Sequence, residues 1–156
     1  MRAVRIHRFG EAEVLRQDEL ATPAPRRDEM LVKVCATSLN HVDVGPRSGE
    51  LRAVSFWRPP LTLGFALAGE VTAVGLQVMA FASGDRIYGA IGYRGGANAE
   101  YALVKQARVA LLPPSVSRTD AAAVPTAGLT ALQALRTHAG LQAGQRVQLV
   151  RCGSTC

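Results

Sequence analysis

The side chains of this 156-residue chain that are able to hold a metal or act as nucleophiles are few and scattered. Cysteines stand at positions 35, 152 and 156, and histidines at 7, 41 and 138. Zinc needs four ligands in closed spacing at a structural site. No such cluster exists here, so no metal is expected. Cys35 lies in the apolar run MLVKVCATSL and reads as a small hydrophobe. Cys152 and Cys156 fall in the last five residues, and an odd count without a framework fits unpaired thiols in a reducing compartment. No residue is assigned as catalytic. Asn40 directly precedes HVDV, where it suits a helix N-cap. Thr126 near a helix start suits a cap, and Thr130 in mid-helix suits a hydroxyl bonded to its own turn. Phe56 and Trp57 precede Pro59-Pro60. They suit either a pocket for a planar substrate or a lid tucked onto the core.

The charge balance invites a different chemistry. The formal net charge is +6 and the pI about 9.9. The basic residues are nearly all arginine, spread from Arg2 to Arg151, and the pair Arg26-Arg27 is followed at once by Asp28-Glu29. Nucleic-acid binders concentrate basic residues on one face and interleave aromatics. Aromatics here are 5% of the chain, and no recognition motif accompanies the charge. A solvated arginine-rich surface is the better reading, and no nucleic-acid partner is expected.

A chain of this length buries roughly 68–70% of its unfolded surface on folding. Apolar residues at 48% and charged residues at 19% exclude wholesale disorder. No apolar run of about 18 residues exists, so no membrane span is expected. MRAVRIHRFGEAE has scattered charges and no apolar core, unlike a secretory signal. The expectation is a soluble cytoplasmic domain.

Short apolar segments separated by Gly and Pro dominate the first two-thirds. Strand candidates are 3–7, 14–20, 30–38, 63–75, 87–91, 99–105 and 108–112, the last closing at Pro113-Pro114. Such strands argue for an antiparallel barrel or sandwich rather than βαβ repeats. Ser117-Arg118-Thr119-Asp120 then opens a short alanine-rich helix. A second helix is expected over 126–139, stopped by Gly140, with Leu129, Leu132 and Leu135 at helical spacing. Residues 146–150 read as the start of a buried parallel strand.

Five segments appear in order: ATSLNHVDVGPRSGE, LTLGFALAGEVTAVG, GDRIYG, GGANAEYALV and AAAVPTAGLTALQAL. Together they resemble the N-terminal half of the medium-chain dehydrogenase/reductase superfamily, in its zinc-independent quinone oxidoreductase branch. The resemblance covers nearly the whole chain. It implies a mainly β fold with flanking helices: a GroES-like barrel, the alcohol dehydrogenase-like N-terminal domain of an NADPH-dependent reductase. The implied reaction is hydride transfer from NADPH to a quinone or an activated C=C or carbonyl substrate, with the cofactor carrying the chemistry. Asn40 would lie beside the nicotinamide end of the cofactor, and Thr130 and Thr126 would approach it from a helix. Zinc-dependent relatives carry Cys at the position of Asn40 and Gly-His-Glu at Gly64-Phe65-Ala66. Asn, Phe and Ala offer no zinc ligands. Two departures stand out from the branch: an aromatic residue flanking the substrate is replaced by Gly45, and an acidic residue by Ala66. Gly45-Pro46 is also expected to interrupt a short helix.

The expected layout is a catalytic domain over 1–124, a linker helix and first strand of a Rossmann-type domain over 125–150, and an irregular tail over 151–156. The tail RCGSTC carries no G-x-G-x-x-G, so the nucleotide-binding half is expected to be missing through truncation. A second function stays open: a stand-alone, non-catalytic barrel that acts by binding a protein partner. On either reading, the chain alone should bind NADPH no better than millimolar. Asn40 and Thr130 offer a few hydrogen bonds worth about 0.5–1.5 kcal/mol each, against an association cost of at least about 4 kcal/mol. The uncovered helix face of Leu129, Leu132 and Leu135 should make the chain self-associate, as a homo-oligomer or an aggregate. Calorimetric NADPH titration and light scattering check both expectations. Micromolar affinity from a clean monomer overturns them.

Overall fold

The computed structural model describes residues 1–50 and 57–150. In chain order its elements are β1 (Arg2–Ile6), β2 (Leu15–Glu19), β3 (Glu29–Thr37), α1 (His41–Ser48), β4 (Leu61–Thr62), β5 (Ala66–Val74), β6 (Arg86–Ala90), β7 (Tyr101–Lys105), β8 (Val109–Leu111) and α2 (Arg118–Leu132). The strands form two antiparallel sheets, one ordered β2-β1-β4 and the other β7-β3-β5-β6-β8. A bridge between Ala3 and Ala99 ties the small sheet to the segment leading into β7. The mainly β architecture with flanking helices matches the sequence expectation, although the 63–75 segment divides: Gly64 turns the chain and the strand itself begins at Ala66.

Alternation along the strands explains the core. Met30 and Val32 of β3, Leu67 and Val71 of β5, Ile87 of β6 and Val104 of β7 all point to one interior and are at most 1% exposed. Ile6, Val14 and Leu63 form a second cluster beneath the small sheet. The opposite face of β5 is built differently. There Ala68 meets Ala121 and Ala122 of α2, with Ala36 and Tyr88 packed beside them. Side chains this small let a helix approach the sheet closely. Ser117 caps that helix, its Oγ accepting from the Asp120 N–H at 3.1 Å, as the sequence predicts.

Three expectations fail, and each has a physical reason. The separate helices around Thr126 are one: α2 runs through Pro125 and continues as a π-type turn over Gln133–His138 before Gly140 ends it. Proline removes one backbone hydrogen bond and crowds the preceding turn. Pro125 is buried with Ala121 and Ala122, and that packing offsets the loss. The same error arises at Gly45-Pro46, which lie inside α1 rather than interrupting it. Pro46 is fully buried, and α1 closes with the Gly49 N–H donating to the Gly45 carbonyl at 3.0 Å. Finally, residues 146–150 form no strand. Val147, Leu149 and Val150 are exposed, and no described strand lies beside them to receive their hydrogen bonds.

Two substitutions test this packing. Leu67→Ala, at a fully buried position, should cost about 2–5 kcal/mol in denaturant unfolding. Ser117→Ala should cost about 0.5–2 kcal/mol through the lost cap. A cost for Leu67→Ala no larger than that of a surface substitution places the core elsewhere.

Candidate functional site

β7 pairs with β3 only as far as Lys33, and the next contact is the Val34 N–H donating to the Glu100 carbonyl at 2.9 Å. Beyond it, β3 runs alongside the 97–100 segment and delivers the chain to α1. A groove of about 810 Å³ opens here. Its apolar wall includes Val4, Leu15, Val34, Leu39, Val44 and Leu63. Asn40, Asp43 and Asn98 also line it. At its rim, Arg2 Nε and Nη2 donate to Glu100 Oε1 at 2.9 and 2.7 Å, and the Arg2 N–H donates to Oε2 at 2.8 Å. Those bonds, the backbone N–H first, hold the Glu100 carboxyl below its ordinary value.

Asn40 occupies the N-cap of α1, in extended backbone at φ −129° and ψ 163°. Its Nδ2 donates to Ser38 Oγ at 3.0 Å, which leaves a second N–H on that nitrogen. Asp43, three residues on, is 6% exposed. Its Oδ2 accepts from the Asn40 N–H at 2.8 Å, and its Oδ1 accepts from the Gly64 N–H at 3.1 Å. Burial pushes this carboxyl above its ordinary value, opposed by the two N–H donors. Sequence reasoning passed over Asp43. The available signal was an acid at the third helical position after an N-cap, the pattern of a capping box.

Thr126, Thr130 and Trp57 lie outside the groove's lining. Thr130 Oγ1 donates to the Thr126 carbonyl at 2.7 Å, one turn back in α2. Thr126 Oγ1 is buried and finds no hydrogen-bond partner among the described residues. Trp57 is 8% exposed, its Nε1 donates to the Tyr93 carbonyl at 2.7 Å, and its ring stands tilted to Phe65 at 6.3 Å. This is a side chain anchored over the core. Phe56 lies outside the described residues. Cys35 is exposed, and it too lines the groove. Among the described residues, no three His, Cys, Asp or Glu side chains gather, and no helix is long and apolar enough to cross a membrane.

Comparison with known proteins agrees with this architecture. Residues 26–114 match the family model described as the alcohol dehydrogenase GroES-like domain. The chain is 39% identical over 148 residues to the quinone oxidoreductase of Lama guanicoe, covering 94% of this chain and 44% of that protein. It is 38% identical over 134 residues to a chloroplastic quinone-oxidoreductase homolog of Spinacia oleracea, covering 85% of this chain and 41% of the relative. Among solved structures, the quinone oxidoreductase of Escherichia coli complexed with NADPH superposes with a TM-score of 0.82 at 30% identity, over 88% of this chain and 41% of that one. The chain thus spans less than half the length of the relatives it matches. With a match across more than half its residues, it belongs to the alcohol dehydrogenase GroES-like domain family, in the quinone oxidoreductase-like branch of the medium-chain dehydrogenase/reductases.

Proposed function

We propose that this chain is the catalytic-domain portion of an NADPH-dependent, zinc-independent oxidoreductase that reduces quinones or activated C=C and carbonyl compounds. The observation that carries this reading is the superposition on a quinone oxidoreductase whose structure contains NADPH. When bound, the cofactor supplies the hydride. The chain's own part is to hold the nicotinamide end and the acceptor in place and to keep water away. Two residues offer groups that fit a carboxamide. The Thr126 hydroxyl has no hydrogen-bond partner among the described residues, and a cofactor reaches it only if α2 shifts to expose it. Asn40 keeps one side-chain N–H beyond the bond to Ser38. That N–H is also suited to an acceptor oxygen on which negative charge develops. Thr130 supports the same helix from within, its own hydroxyl already committed to Thr126. Phe56 and Trp57 are proposed to flank a planar substrate, with the buried, hydrogen-bonded Trp57 as the rigid member.

The same reading sets the remaining proposals. Residues 1–124 form the catalytic domain, 125–150 the linker toward a nucleotide-binding half, and 151–156 a tail. Alone, the chain is inactive. Its setting is reducing and cytoplasmic, supported by the exposed, unpaired Cys35. Self-association is supported by the exposed Val124, Leu129 and Leu132 on α2.

The test is a fusion of residues 1–150 to the nucleotide-binding half of a quinone oxidoreductase relative. The fusion should oxidise NADPH in the presence of a quinone, and the chain alone should not. Asn40→Ala in the fusion should lower kcat/KM by about tenfold, the equivalent of one lost hydrogen bond. A folded fusion that binds NADPH yet reduces no quinone, enone or aldehyde overturns the proposal.

A further inference from the structure

Asp43 is the one buried charged residue among the described residues, and its bonds join two parts of the chain that are distant in sequence. Oδ2 takes the Asn40 N–H, and Oδ1 takes the Gly64 N–H from 21 residues away. The Asp43 N–H donates to the Asn40 carbonyl at 2.9 Å, so the Asn40 turn is gripped from both directions. The other turn is equally constrained. Gly64 holds φ +91°, and a Cβ there would lie 2.6 Å from the Asn98 nitrogen. The N–H groups of Gly96 and Asn98 both donate to the Leu63 carbonyl, and that of Ala97 to Gly64. Two segments therefore meet at one carboxylate, and the 96–98 segment is fastened to the second of them.

A side chain serving only as filler at this position would be apolar, because burying a charge is costly unless it is fully hydrogen-bonded. A carboxylate accepts on both oxygens at once, and its charge suits the N-terminal end of α1. An amide of the same shape has one accepting oxygen and turns an NH2 group toward the other N–H. Only the carboxylate satisfies both turns together.

We infer that Asp43 is the positioning residue of this site: by clamping the Asn40 turn to the Gly64 turn, it fixes where the Asn40 amide stands relative to the acceptor. The inference rests on the oxidoreductase reading given above. Asp43 touches neither acceptor nor cofactor and acts through Asn40.

The test uses the whole 156-residue chain, labelled with 15N, and the probe tetramethyl-1,4-benzoquinone, whose ring is fully substituted. In the wild type the probe shifts the Asn40 side-chain amide saturably. Asp43→Asn keeps the fold yet weakens the probe's binding by about tenfold, the worth of one misplaced hydrogen bond. Asp85→Asn removes a carboxylate that, among the described residues, accepts from the Ala82 N–H alone in an exposed turn, and it leaves binding unchanged. Equal binding by wild type and a folded Asp43→Asn overturns the inference and leaves the oxidoreductase reading standing. No response in the wild type overturns the inference, while the oxidoreductase reading answers to the fusion assay above. Should Asp43→Asn fail to fold, hydrogen exchange in the wild type decides: the Asn40 and Gly64 amides should be protected and open together, and independent exchange of the two overturns the clamp.

Discussion

The main-chain groups of β3 have to be hydrogen-bonded on both sides, by β5 along one edge and by β7 and then the Glu100 carbonyl along the other. That requirement fixes the face each of its side chains takes. Met30 and Val32 go to the interior, while Lys33 stays in solvent. The ladder with β5 is not regular. It shifts register between Leu31 and Val32 and again between Val34 and Ala36. Gly69 stands opposite Val34, and a Cβ there would lie 2.4 Å from the Lys33 carbonyl oxygen. The two strands come this close only because that side chain is missing. The far end of β3 then hands the chain to Ser38 and Asn40, so the groove wall takes its position from this ladder.

The helical layer depends on small side chains in the same way. Ala36 and Ala68 on the sheet face Ala121 and Ala122 on α2, and Arg118 reaches Glu70 at 3.8 Å at the helix start. The inner face of α2 is therefore well filled with little apolar bulk, and the larger apolar residues Val124, Leu129 and Leu132 are turned outward. Such a helix reads weakly as amphipathic, because its buried stripe is alanine and proline rather than leucine.

The contrast explains what the sequence disclosed. The strands around Met30, Val32, Ile87 and Val104 were legible because alternation is a local signal. The cap at Ser117 and the stop at Gly140 were legible for the same reason. The helices through Pro46 and Pro125 were not. Local chemistry disfavours them, and burial of the two proline rings offsets that cost. Residues 146–150 carry the composition of a strand, yet pairing is a property of neighbours and not of composition. At the site, the cap position of Asn40 and the inward bond of Thr130 could be read from their places in a helix. The link from Asp43 to Gly64 spans 21 residues, and nothing in either segment alone announces it.

That link has a thermodynamic face. Burial raises the Asp43 carboxyl above its ordinary value, so the folded domain holds this proton more tightly than the unfolded chain does. Its contribution to stability is complete below the unfolded value and diminishes as pH climbs through the folded one. Glu100, lowered by Arg2, runs the other way: its contribution is present above the unfolded value and lost as pH falls through the folded one. The groove thus carries two carboxyls with opposed proton linkage, one strained by its charge at neutral pH and one secured by it. Acid thus loosens the rim at Glu100, and at Asp43 it eases the burial of charge while taking away one of the two accepting oxygens that join the turns.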